Sequence, residues 1–295
     1  MPSQDSFLSG SNIGFIEGLY AREMPAPFLS VVTSDCIERG LDYNAGGARY
    51  NTSFIQGVGI GTLTDSLAAL RTLVYERHTV TMDALLAALE AGFAGQDALR
   101  QALRNRSPKW GNDDDAADSL MTRAFDAFVG MIDGRPNGRG GRYGVDMLPT
   151  TCHVYFGSMT GATPDGRLAG MPLSEGISPS QGMDRLGPTA VIRSAAKMDH
   201  ARTAGTLLNM KLSPGLVEGD EGIDRFASLI RTYFRLGGHH VQFNVVSAAT
   251  LREAQAHPDE HRDLIVRVAG YSDYFCDLSA SLQDEIIART EHAAM

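Results

Sequence analysis

Between Leu264 and Val268 an apolar, β-branched run broken only by Arg267 ends at Ala269-Gly270, and a polar-aromatic turn, Tyr271-Ser272-Asp273-Tyr274, follows. A run of this kind predicts a short buried strand. Where such a strand stops on a glycine, the backbone bulges or turns, because glycine takes a positive φ without steric cost. The stretch from Asp263 to Phe275 therefore requires a scaffold able to bury a strand up to its turning point.

The chain can supply one. Its 295 residues are enough for one large core or two ordinary ones, and 43% hydrophobic with 21% charged residues is a globular composition. A net charge of -9 excludes general affinity for nucleic acid or for an anionic membrane surface. No apolar run reaches the roughly 20 residues that span a bilayer. The opening MPSQDSFLSG has neither the basic start nor the apolar core of a secretory signal. Cys36, Cys152 and Cys276 are scattered without metal-ligand spacing, and an odd count argues against a disulfide framework. The expectation is a cytoplasmic protein that holds no metal.

Taken in order, the chain alternates helical patterns with loops. Ser34-Asp35 can cap a helical turn through Cys36 and Ile37. AGGARYNTSFIQGVGIG partly mimics a dinucleotide fingerprint but lacks the spacing that completes one, so its glycines are read as backbone packing. Thr64 or Asp65 can cap a helix carrying Leu67, Leu70 and Val74, and a second follows Thr81 with Leu85, Leu86 and Leu89 on one face. Asp113 to Asp115 form the acidic first turn of a helix through Leu120, Met121, Phe125 and Phe128 rather than a calcium loop. Asn137 to Arg142 read as a flexible basic loop, Cys152 to Phe156 as a strand, and Thr163-Pro-Asp-Gly166 as a turn.

From there to Pro214 short apolar runs alternate with Gly, Ser and Pro, the pattern of loops assembled at one end of a strand-and-helix scaffold. A helix from about Ile223 to Leu236 is expected to bury Phe226, Ile230 and Phe234. HHVQFNVVS is expected to be a strand whose His239 and His240 point to opposite faces and so cannot share an ion. Helices near 249–256 and 279–290 flank the opening stretch.

Set in this order, the blocks SDCIERGLDYNAGGARYN, CHVYFGSMTGATPDGRLAG, PLSEGISPSQG, TLLNMK, HHVQFNVVSAATLREAQAHP and IVRVAGYSDYF resemble the C-terminal third of the glycyl radical enzymes, in the dehydratase and lyase branch. The TPDGR and RVAGY blocks are the specific ones. The resemblance implies an α/β fold, the second half of a ten-stranded α/β barrel. Its domains would be residues 1–215, a partial barrel, and 216–295, a glycine radical domain. Gly270 would carry the radical, supported by Arg267, Val268, Ala269, Tyr271 and Ser272. An α-carbon radical between an amide nitrogen and a carbonyl is delocalised when planar, and glycine has no side chain to oppose planarity. The chain would hold no cofactor of its own, the radical being installed by an S-adenosylmethionine- and iron–sulfur-dependent activating enzyme. An oligomer acting on a small-molecule substrate is implied.

The family also uses a cysteine on a G-C-V-E loop, with a glutamate as the base. The nearest match is Asp35-Cys36-Ile37-Glu38, which lacks the glycine and falls in a separate block. The expectation is a C-terminal portion or subunit, inactive without a partner segment that bears the thiyl cysteine. The alternatives are a spare radical domain that repairs an oxygen-cleaved enzyme, and an acyltransferase like pyruvate formate-lyase.

Overall fold

The computed structural model describes residues 12–294, in two compact units. One comprises the chain up to Ile55 with Ala127–Asp146, the other Gln56–Asp126 with the chain from Met147 onward.

The first unit holds α1 (Asn12–Glu23), α2 (Pro27–Val32), α3 (Cys36–Arg39) and a two-stranded sheet of β1 (Thr52–Gln56) and β2 (Arg142–Asp146). Asp35 stands at the N-cap position of α3, as expected, yet caps nothing. Its φ of 78° turns the carboxylate away, and Arg49 takes it at 2.6 Å. The basic loop is closed by hydrogen bonds. Asn137 Oδ1 accepts the Arg139 and Gly141 amides, and Glu17 accepts the Gly138 amide and the Tyr143 hydroxyl. The Gly-rich block is backbone packing here, since a Cβ on Gly47 would lie 2.1 Å from the Leu41 carbonyl oxygen.

The second unit carries α4 (Ile60–Ala69, prolonged by a π-helical Leu70–Glu76), α5 (Met82–Glu90), α6 (Asp97–Asn105), the start of α7 (Asp115–Ile132), α8 (Cys152–Met159) and α9 (Pro188–Ala195). After them come β3 (Leu207–Leu212), α10 (Gly219–Arg235), β4 (His240–Val245), α11 (Ala248–Ala256), β5 (Ile265–Arg267), β6 (Ser272–Tyr274), α12 (Ala280–Ala288) and β7 (Glu291–His292). Strand β3 is the centre of a parallel three-stranded sheet in the order β4-β3-β7, and all six of its residues are buried. Burial on both faces is what the parallel arrangement imposes.

Four local expectations are corrected. Helix α4 starts at Ile60, behind Gly59, so Thr64 and Asp65 are buried inside it and neither is a cap. Asp65 instead accepts the Trp110 amide at 2.8 Å. On α5, Thr81 caps as expected, but of the three leucines only Leu85 is fully buried, with Ala88 beside it, while Leu89 is half-buried and Leu86 faces outward. On α10 the fully buried positions are Gly222, Leu229 and Tyr233, with Phe226 and Ile230 half-buried and Phe234 exposed, because the apolar stripe follows a spacing of four from Leu229.

Cys152 to Phe156 is helix, not strand. A five-residue apolar run does not distinguish the two, and the carbonyls of Pro149 and Thr151 accept the Cys152 and Val154 amides at 2.9 and 3.1 Å, which winds the chain. The Thr163 turn forms as expected, with the Gly166 amide on the Thr163 carbonyl at 2.9 Å. His239 is exposed and His240 half-buried. Among the described residues no helix is long and apolar enough to cross a membrane, and no three metal-binding side chains cluster.

Candidate functional site

Strands β5 and β6 are antiparallel, with Arg267 opposite Ser272. The Val268 amide bonds the Tyr271 carbonyl at 2.9 Å, leaving Ala269 and Gly270 as the two tip residues. Gly270 has φ +86°, the positive φ that a turn of this kind requires at its second tip position. The expected strand is thus one leg of a hairpin, and only partly buried: Val266 is 1% exposed but Ile265 58%. Val266 and Val268 sit in an apolar cluster with Leu251, Phe275, Leu282 and Ile286, which anchors the hairpin.

The six predicted residues therefore come together as one hairpin tip. Val268 and Ala269 are fully buried, Gly270 and Ser272 are exposed, Arg267 is half-buried and Tyr271 is at the margin of exposure. Arg267 donates to Gln242 Oε1 and Ser272 Oγ, both at 3.0 Å. Burial, then the nearby Asp273 charge, pushes the Tyr271 phenol up. At Gly270 itself there is room. A Cβ there would meet only Leu148 side-chain atoms among its three nearest neighbours, at 3.5–3.8 Å, which is ordinary contact. Packing does not explain this glycine.

What sequence reasoning missed is the apparatus around the tip. Asn244 accepts the Arg267 amide at 2.7 Å and donates to the Arg267 carbonyl at 2.8 Å, serving as a substitute strand neighbour. Asn209 donates to the Val268 carbonyl at 3.4 Å and to Glu175, and accepts from Gln242. Arg289, at the C-cap of α12, donates to the same Val268 carbonyl at 2.9 Å and to Glu285 at 2.7 Å. Glu285 in turn accepts from Gln181 at 3.1 Å and lies 3.5 Å from His153 Nε2. The signal was present in the sequence: Gln242 and Asn244 are two polar residues on one face of a strand otherwise apolar after its histidine. Their register opposite Asn209 and Lys211 places all four on the same face of the sheet.

Two buried carboxyls in this apparatus titrate in opposite directions. Burial would raise Glu285, but the Arg289 guanidinium and His153 outweigh it and hold the carboxyl well below the usual range. Burial pushes Glu175 up to about 7, opposed only in part by Arg289. The unfolded chain ionises Glu175 near 4.5, so the folded state binds the extra proton and stability falls as pH rises from there to about 7. The shift corresponds to roughly 3 kcal/mol. Glu175→Gln is expected to reduce that decline, leaving the part due to Asp65, also raised to about 7 by burial. Urea denaturation between pH 4.5 and 8 measures it, and an unchanged slope refutes it.

The three cysteines have separate settings. Cys36 is 2% exposed in the first unit, Cys152 opens α8, and the Cys276 thiol is pushed up by burial beside the His261 carbonyl. A cavity of about 850 Å³ is bordered by Arg100, Arg104, Tyr155 and Glu285 but by none of residues 267–272.

Comparison with known proteins places this hairpin in a family. Residues 8–157 match the family model described as pyruvate formate lyase-like, and residues 173–276 match the glycine radical model, which includes the whole tip. The chain belongs to the glycyl radical enzyme family, with dehydratases and lyases as its relatives. It is 56% identical over 276 residues to the trans-4-hydroxy-L-proline dehydratase of Clostridioides difficile, across 94% of this chain and 35% of the relative. The crystal structure of the hydroxyproline dehydratase from that organism with trans-4-hydroxy-L-proline bound superposes with a TM-score of 0.92 at 55% identity, over 95% of this chain and 36% of the other. The glycerol-bound B12-independent glycerol dehydratase from Clostridium butyricum gives 0.90 at 40% identity, over 100% and 39%. The chain spans about a third of the length of the curated relatives it matches. Its α/β fold is that of these enzymes.

Proposed function

We propose that this chain is the C-terminal part, or a subunit, of a glycyl radical dehydratase or lyase, and that it stores the radical on Gly270. One observation carries the reading: the backbone on the approach to Gly270 is clamped by Asn244, Asn209 and Arg289, while the glycine is exposed and unpacked. A fixed loop presenting an accessible α-hydrogen is what storage and return of a hydrogen atom require. Removing that hydrogen leaves an α-carbon radical that the flanking amide and carbonyl delocalise. In catalysis Gly270 would take a hydrogen atom from a cysteine thiol on the remaining segment. The thiyl so formed would abstract hydrogen from substrate beside the carbon bearing the leaving group. Cleavage of a C–O bond is favoured over C–N or C–S by the identity with the hydroxyproline dehydratase.

In this reading the chain supplies part of the second half of a ten-stranded barrel, with residues 1–215 on the barrel side and 216–295 as the radical domain. The segment with the thiyl cysteine and the base completes it. Exposed Phe15, Phe28, Val31, Val32 and Tyr50 in the first unit support a need for such a partner. The radical would be installed under anaerobic, cytoplasmic conditions by an S-adenosylmethionine and iron–sulfur activating enzyme, which carries the cofactors.

The test is anaerobic treatment of the chain, assembled with its companion segment, with activating enzyme, reductant and S-adenosylmethionine. An organic radical is expected by electron paramagnetic resonance. Air is then expected to cut the chain at Gly270, releasing a peptide that ends at Met295. Cleavage elsewhere, or no radical from an activating enzyme competent on another substrate protein, overturns the reading.

A further inference from the structure

We infer that Arg289, braced by Glu285, is a positioning residue for the radical, fixing the backbone from which Gly270 projects. The inference rests on the reading of Gly270 as the radical site. The Arg289 and Glu285 side chains are 9% and 1% exposed, and they pair through three contacts of 2.7–3.1 Å. A buried ion pair is a poor source of stability, because desolvation consumes most of the Coulombic gain. Its value here is geometric. The guanidinium is a rigid planar fork. With two nitrogens engaged by Glu285, one of them also donates to the Val268 carbonyl at 2.9 Å, and the third reaches toward the Arg267 carbonyl at 3.5 Å.

The brace is itself held from behind. Lys211, fully buried on β3, donates to the Ile287 carbonyl at 2.8 Å and reaches the Ile286 carbonyl at 3.4 Å, at the end of α12. Asn209, two residues earlier on the same face of β3, reaches the same Val268 carbonyl as Arg289. One central strand thus fixes both the helix that carries the arginine and the carbonyl the arginine holds. With the Val268 amide closing the turn on Tyr271, both the amide and the carbonyl of Val268 are tied, two residues before the exposed Gly270.

The test uses the assembled enzyme as wild type, as Arg289→Lys, and as the double variant Glu285→Leu/Arg289→Met, which removes both charges together. Hydrogen–deuterium exchange is read on the peptide covering 264–276 and on β3, and radical yield is read by spin counting after activation. The double variant is expected to exchange at least tenfold faster over 264–276 with β3 unchanged, and to give at least tenfold less radical. Arg289→Lys, which keeps the charge and loses the fork, is expected to fall between. A folded double variant with wild-type exchange and yield overturns the inference, as does faster exchange spread evenly over the unit. If the double variant does not fold, Arg289→Lys decides by the same two readouts. If the wild type itself yields no radical, the Gly270 reading fails, and the exchange data still settle whether Arg289 fixes the tip.

Discussion

A Gly270→Ala variant, activated anaerobically beside the wild type, is expected to give no organic radical and, in air, no cut between β5 and β6. It is also expected to fold. The three atoms nearest the added methyl all belong to Leu148, at 3.5–3.8 Å, so no atom has to move. The cost is conformational: an L-residue forced to φ +86° loses about 1–2 kcal/mol. The loss of radical has a different origin. The methyl blocks approach to the α-hydrogen and opposes the flattening on which delocalisation depends. Electron paramagnetic resonance, mass spectrometry and thermal melting together check this. A radical or a cut at residue 270 in the folded variant refutes the assignment.

The second large effect is expected at Arg289→Met. The substitution leaves Glu285 buried without its cation, and breaking one side of a buried pair costs about 3–5 kcal/mol. The pH dependence should reverse as well. In the wild type the Glu285 carboxyl is held below its unfolded value of 4.5, so its contribution is full above that value and lost as pH falls through the folded one. Without Arg289 only His153 is left to oppose burial, so the carboxyl rises and the variant should lose stability as pH rises. Adding Glu285→Leu should recover most of the loss. Urea denaturation at pH 5 and pH 8 on the wild type and the two variants measures all of it. A single variant as stable as the wild type at pH 8 refutes the account.

How much of this was legible in the sequence follows from chain distance. The tip, Arg267 to Ser272, is contiguous, so the resemblance of its block to the family was enough to single it out, where the local pattern alone gave only a strand ending on a turn glycine. The apparatus that holds it is not contiguous. Asn209 and Asn244 meet the hairpin across separations of 59 and 23 residues, through a parallel pairing of β3 with β4 that no local periodicity encodes. Arg289 reads in isolation as a surface cation near a helix end, and only the fold turns it inward. Helix α8 failed for the opposite reason. Its residues have strand-like preferences, and the carbonyls of the preceding Pro149 and Thr151 decide the matter. Helix α10 was found, but Tyr233 rather than Phe234 is buried, because a one-residue error rotates a helical face by roughly 100°.

The hairpin has one more consequence, for what damage by oxygen leaves behind. Its two legs are hydrogen-bonded to each other, and the downstream leg continues into Phe275, α12 and β7, all seated on the same unit. Arg289, on the downstream side, still grips the Val268 carbonyl on the upstream side. A break at Gly270 would therefore make two polypeptides but a single particle, the short one clasped in place by sheet, core and ion pair. Size exclusion without denaturant would report an intact protein, and the injury would surface only when the fold is dissolved.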